Sequence, residues 1–233
     1  MLRAGIVGGL GPESTVDYYR RILEEWQRSG GENTPPMIID SLDANTALRL
    51  AGSDRPAFTA YILDSVLRLA RAGADFVVIT ANTPHLMFDE IAAQSPVRMI
   101  SIVEVCADEA ARLGLKRLGL LGTRFTMEAS FYPDVFSRRG MEVVVPDDPD
   151  RTWVHSRYVE QLLKGDFRDE TRSEFNELVE RLRSERQIDG VILGGTELPL
   201  LLGSNAIAGL PALDTTHLHV HSIVRYMRES RSA

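Results

Sequence analysis

Apolar positions in this chain alternate between two periods. Short, largely apolar runs at Ala4–Val7, Pro36–Ser41, Phe76–Thr80 and Pro96–Ile100 read as strands, the one at Phe76–Thr80 as a buried one. Between them the spacing turns helical. Val16, Tyr19, Ile22, Leu23 and Trp26 predict a helix from Pro12 to about Arg28 with those residues on its buried face, ended by Gly30 and Gly31. Ile62, Val66, Leu69 and Ala70 give the inner face of a helix over Pro56–Ala72, which Gly73 stops. Asp43-Ala44-Asn45 reads as a polar loop. A short helix opens at Pro84 and runs to about Ala93, and a further helix covers Val103–Leu113 with Gly114 as its cap.

The alternation then starts again. Arg117–Leu121 is a strand that leads into the loop Gly122-Thr123-Arg124-Phe125-Thr126. A helix over Ser130–Arg138 precedes Gly140, Glu142–Val145 is a strand, and Asp147-Asp148-Pro149-Asp150 reads as an acidic surface turn. Helices follow over Thr152–Lys164 and Asp169–Arg186, the second with Phe175, Leu178, Val179 and Leu182 inward. Val191–Leu193 and Pro211–Leu213 are strands, Thr216–Met227 closes the chain as a helix, and Arg231-Ser232-Ala233 reads as a frayed tail.

Strand and helix alternating in this way imply an α/β fold with parallel-type sheets. Its repetition in the second half implies two similar lobes, residues 1–100 with 210–233 and residues 101–209, with a ligand cleft between them. The 233 residues and 44% apolar content suffice for such a core. A net charge of -7 and the lack of a basic run argue against nucleic acid as a partner. No apolar run reaches the roughly 18 residues of a membrane span. One cysteine, Cys106, excludes an internal disulfide. A cytoplasmic protein is expected.

Candidate chemistry collects where strands end, because in parallel sheets ligands meet the exposed N–H groups of the following helix there. Two such ends share one grammar: Thr80-Ala81-Asn82-Thr83-Pro84-His85 and Gly194-Gly195-Thr196-Glu197. Asn82, Thr83 and Thr196 could cradle a carboxylate, or Asn82 and Thr83 could merely cap a helix. Glu197, in the first turn of a helix, suits the helix dipole; in a closed site it is the best candidate for a general base. His85 stands beside the first end, where a lone histidine more often packs or hydrogen-bonds than reacts, though an unperturbed imidazole titrates near neutrality. His217, His219 and His221 suggest a metal cluster, but residues two apart on a helix point to different sides and no Cys or Glu completes the set; no metal is expected. Gly9-Leu-Gly11-Pro-Glu-Ser14 only approximates a dinucleotide loop, since Pro12 removes an N–H that would face a pyrophosphate. Cys106 sits within a helix as a packing residue.

The ordered set Gly8-Gly9-Leu-Gly-Pro-Glu-Ser-Thr15 with Tyr18-Tyr19, Asn82-Thr83-Pro-His85, Leu121-Gly-Thr123-Arg-Phe-Thr126-Met, Gly194-Gly195-Thr196-Glu197 and Asp214-Thr215-Thr216 resembles the aspartate/glutamate racemase family, over nearly the whole chain. The resemblance implies two Rossmann-like lobes related by a pseudo-two-fold axis, a homodimer, a small amino acid or dicarboxylate as substrate, and no cofactor. It also implies two catalytic cysteines, one directly before the Asn-Thr pair and one directly before the Thr-Glu pair. Here those positions are Ala81 and Gly195. The expectation is therefore an isomerase-like enzyme with a non-thiol proton relay drawn from Glu197, His85 and Thr80. Asn82, Thr83, Thr123 and Thr196 are the expected binding residues, and Lys164 would pair with a distal carboxylate. A lyase or decarboxylase with a single acid or base, and a carboxylate-binding protein without turnover, are the alternatives.

Overall fold

The computed structural model describes residues 1–203 and 205–228. The expected tail at Arg231-Ser232-Ala233 lies outside them. The chain divides into two compact units, one of Met1–Ile102 with the chain from His219 onward and one of Val103–Leu218. The first crossing falls within α5 (Ile102–Arg112), which follows α4 (Phe88–Ala92) of the first unit, and the second falls within a later helix, beyond α7 (Phe131–Ser137) of the second unit.

In the first unit, β1 (Ala4–Gly8), β2 (Met37–Ser41), β3 (Phe76–Ile79) and β4 (Arg98–Ile100) form a four-stranded sheet in the order β2-β1-β3-β4. All its pairings are parallel, with Ile6 opposite Ile39 and Val78. Every residue of β1 and β3 is buried, which is why both read as unbroken apolar runs. α3 (Arg55–Arg71) packs Phe58, Ile62, Val66 and Leu69 into one core with Val7, Val77 and Ile79.

Two helices here differ from the sequence reading. α1 (Pro12–Arg28) buries Ser14, Tyr18, Ile22, Glu25 and Trp26, while Val16 and Tyr19 are exposed. The stripe is turned by one residue because Tyr18 has a polar partner inside. Its hydroxyl donates to Nδ1 of His219 at 3.0 Å. The second difference is at Asp43-Ala44-Asn45, which is no loop. Asp43 is the N-cap of α2 (Ala44–Ser53) and accepts the N–H of Thr46 at 2.8 Å. This helix buries only Ala47, so it carries almost no apolar stripe to read.

The second unit holds β5 (Arg117–Leu121), β6 (Glu142–Val144), β7 (Gly190–Leu193), β8 (Ala206–Ile207) and β9 (Leu210–Asp214), in the order β6-β5-β7-β9-β8. The pairings are parallel except for the β8–β9 hairpin, an edge ribbon too short to show a period. The sequence division assigned residues 210–233 to the first lobe. β9 pairs with β7 in this sheet, and the chain passes to the first unit only at His219. The acidic stretch after Pro146 is also not a turn. α8 (Asp148–Glu160) begins there, with Pro149 in its first turn and Asp148 and Asp150 at the positive end of its dipole. α8 and α9 (Asp169–Arg186) bury Val154, Tyr158, Phe175, Leu178 and Val179 in one core with Leu193 and Leu198.

α11 (Thr215–Met227) carries the three histidines. His217 and His221 are exposed, His221 within 2.9 Å of Glu25, whereas His219 is fully buried. His219 donates from Nε2 to the carbonyl of Ile100 at 3.1 Å and accepts from Tyr18 at Nδ1. Burial, and after it the nearby His85 imidazole, push its pKa down to about 3. His85 is held down to about 4 by burial. Both imidazoles are therefore neutral in the folded protein. The unfolded chain binds their protons below pH 6.5, so their contribution is complete above that value and is lost as pH falls toward 4 and 3. Each histidine adds a slope of up to about 1.4 kcal/mol per pH unit in that window. Urea unfolding followed from pH 7.5 to 4.5 should show His219→Gln flattening the pH dependence by close to one proton, whatever its effect on stability at pH 7.5.

Candidate functional site

In the first sheet the strand order reverses between β1 and β3, and in the second between β5 and β7. The crevice outside the carboxyl ends at such a reversal is where open parallel sheets bind ligands. Each unit therefore offers one half-site, and the motif residues fall on these two.

The first half-site begins with the glycine loop after β1. Gly9 has φ +79, a conformation open to glycine, and a side chain there would run into the backbone of Leu42. The N–H of Gly9 donates to Oγ1 of Thr15 at 2.8 Å, and that hydroxyl donates to the carbonyl of Gly11 at 3.2 Å. The loop is thus closed by the helix it precedes, and its first N–H is spent on Thr15 rather than presented to a phosphate.

At the end of β3, Thr80 is fully buried. Its Oγ1 and its N–H both donate to the carbonyl of Val7, each at 3.1 Å. Ala81 is half-buried and Asn82 buried. Asn82 precedes a 3-10 helix at Thr83–Met87, but its side chain does not cap that helix. His85 donates from Nδ1 to the carbonyl of Ala81 at 3.0 Å and accepts the N–H of Ile102 at Nε2, 3.3 Å away. Its ring stacks on Phe88 with centroids 5.1 Å apart. Both nitrogens are committed to backbone, and burial keeps the ring uncharged.

In the second half-site, Thr123 caps α6 (Arg124–Glu128) by accepting the N–H of Thr126 at 3.3 Å, and its hydroxyl lies 3.1 Å from that of Thr126. The expected loop after β5 is thus a capped helical turn. At the end of β7, Thr196 and Glu197 are both buried, at 8% and 5% exposure. Glu197 stands at the start of α10 (Leu198–Leu202). Two hydroxyls converge on its Oε2: Thr196 donates from 2.9 Å, and Tyr158, from the last turn of α8, donates in a short hydrogen bond. Burial first, and then the charge of Glu197, push the Tyr158 phenol well above its ordinary range, so it stays protonated. Gly195 sits directly against this ring. A Cβ at 195 would lie 2.6 Å from Oη of Tyr158 and 2.8 Å from its Cζ.

The structure thus brings Thr196 and Glu197 together and sets Thr80, Asn82, Thr83 and His85 along one strand end. Lys164 is exposed at the end of a 3-10 helix, Leu162–Lys164. Cys106 is fully buried, and burial followed by the charges of Asp214 and Glu109 holds its thiol protonated. Among the described residues no group of three His, Cys, Asp or Glu is placed to hold a metal. Tyr158 was not singled out by the sequence. Its only local signal is a place on the inward row Val154, Tyr158, Leu162.

The family model described as Asp/Glu/hydantoin racemase matches residues 7–223. A broad specificity amino-acid racemase, RacX, of Bacillus subtilis (strain 168) is 29% identical over 151 residues, which are 61% of this chain and 64% of that protein. The chain thus matches less than two thirds of that relative's length. The crystal structure of an aspartate racemase homologue from Pyrococcus horikoshii OT3 is 31% identical with a TM-score of 0.87, covering 98% of this chain and 100% of that one. The aspartate racemase of Picrophilus torridus, 18% identical with a TM-score of 0.75 over 97% of this chain and 94% of that one, shares the fold.

The hydroxyl of Thr80 gives a direct check on the first half-site. Thr80→Val keeps the volume and removes the bond to Val7, whose carbonyl retains the Thr80 N–H as partner. The expected loss is about 1 kcal/mol, read as a lower urea midpoint with unchanged m.

Proposed function

This chain belongs to the Asp/Glu/hydantoin racemase family, and on that footing we propose that it is an isomerase-type enzyme that moves the α-proton of a small amino acid or dicarboxylate without thiols. The two-thiol route implied by the family resemblance cannot run through Ala81 and Gly195, neither of which carries a transferable proton. The observation that carries the reading is the buried carboxylate of Glu197, held at a strand end by two hydroxyl donors. A carboxylate removed from water and oriented by hydrogen bonds is suited to proton transfer at carbon.

In this reading Glu197 is the base. Asn82, Thr83, Thr123 and Thr196 bind the substrate's carboxylate and amino groups at the two strand ends, and Lys164 attracts a distal carboxylate. Thr80 and His85, drawn into backbone hydrogen bonds, hold the first strand end in shape. No cofactor enters the scheme. The same footing supports a cytoplasmic homodimer, for which sedimentation gives the mass. A second reading, carboxylate binding without turnover, is favoured by the absence of both thiols.

The test is exchange of Cα–H for deuterium, followed by NMR, with both enantiomers of aspartate, glutamate and other small amino acids. Exchange with at least one substrate is expected. Glu197→Gln should lower it by about 10²-fold or more, the usual contribution of a general base. Saturable binding of the same compounds with no exchange would sink the enzyme reading and leave the binding one.

A further inference from the structure

The empty position at 195 is not empty space. A side chain there would begin too close against the edge of the Tyr158 ring, 2.6 Å from its hydroxyl oxygen. The phenol therefore occupies the volume that a residue at 195 would use to reach the site. Three further facts bear on it. Tyr158 is 4% exposed, and its hydroxyl is aimed at one oxygen of Glu197 rather than at solvent. Thr196, the residue after Gly195, donates to that same oxygen. Gly195 has no positive φ, so its backbone would accept an alanine, and the tyrosine ring is what excludes one.

We propose that Tyr158 takes the place of the missing group at 195 and works with Glu197 as a single phenol–carboxylate proton relay. The proposal deepens the α-proton reading above and rests on it. As the Cα–H bond breaks, its proton goes to the phenolic oxygen of Tyr158. The proton that the phenol held passes to Oε2 of Glu197, and the electron pair stays on the substrate as the enolate. The phenol ends as it began, the carboxylate becomes a carboxylic acid, and the charge moves from Glu197 to the substrate. The reverse steps restore the Cα–H bond, and exchange of the Glu197 proton with water brings in solvent deuterium. Tyr158 is protonated throughout ordinary pH, as the relay requires. Cys106 takes no part, since it is buried and protonated elsewhere in the unit.

Occupancy and chemistry are tested separately. Gly195→Ala at a compatible backbone is ordinarily neutral or stabilising. Here it should lower the melting temperature, and the loss should largely vanish when Tyr158→Ala is made as well. An equal loss in both backgrounds, or none in either, overturns the proposal. Tyr158→Phe keeps the ring and removes only the hydroxyl. It should lower kcat for deuterium exchange by about 10²-fold or more with KM unchanged. A loss expressed in KM alone marks a packing role and overturns the relay. Exchange abolished by Glu197→Gln but unaffected by Tyr158→Phe overturns the relay and leaves Glu197 as the base. Silence from the unaltered chain with every substrate overturns the relay together with the α-proton reading, even if the melting temperatures show Tyr158 filling position 195.

Discussion

A carboxylate taken out of water must be given hydrogen-bond donors, and much of the second unit follows from meeting that demand at Glu197. Thr196 supplies one donor from the adjacent residue. The other comes from Tyr158, far back in the chain, so the last turn of α8 has to lie against the end of β7. That placement is held from behind. Val154, Tyr158 and Leu162 share the core with Phe175 and Leu178 of α9, and the Trp153 ring meets that of Phe175 at 4.8 Å. Once the phenol is in place, position 195 has room for glycine alone. One buried charge thereby fixes a helix position, a ring orientation and a residue type.

The first half-site resolves the same chain grammar differently. There the polar groups turn toward the scaffold. Thr15 closes the glycine loop, Thr80 binds the neighbouring strand, and His85 joins the Ala81 carbonyl to the Ile102 N–H. A buried imidazole with both nitrogens engaged has a low pKa and a fixed tautomer. Such a ring is a brace. It stands beside His219, whose own two bonds join Tyr18 of α1 to the end of β4. As the pH falls His85 takes up its proton first, and its positive charge then opposes protonation of His219, which is why His85 contributes to the depression at His219.

Strands and long helices were legible in the sequence because their signal is local. β1, β3 and β7 are unbroken apolar runs, β5 is one after Arg117, and α3 and α9 carry strong stripes. Glu197 and Thr196 were legible through their position after a strand. What escaped was set by distant partners or by weak amphipathicity. α2 buries one alanine and depends on the Asp43 cap, so it reads as a loop. The face of α1 is decided by a tyrosine hydroxyl and a histidine some two hundred residues later. The start of α8 looks like an acidic turn because prolines and acids favour turns and helix N-termini alike. Tyr158 was invisible for the most basic reason: nothing near residue 158 records that the carboxylate at 197 requires a donor.

Ala81 and Gly195, the two positions where the family resemblance implies a thiol, are therefore not equivalent. At Ala81 a half-buried methyl group stands, and the neighbouring polar side chains of Thr80 and His85 are bound to backbone. At Gly195 the space a side chain would take is filled by a phenol that already shares a hydrogen bond with a carboxylate. Proton transfer needs a group whose proton can leave and a partner to receive it. Among the described residues at these two strand ends, Tyr158 and Glu197 hold both within one hydrogen bond. Under the proposed relay the proton chemistry falls to this one phenol–carboxylate pair, and a second base would have to come from residues other than those braced around Ala81.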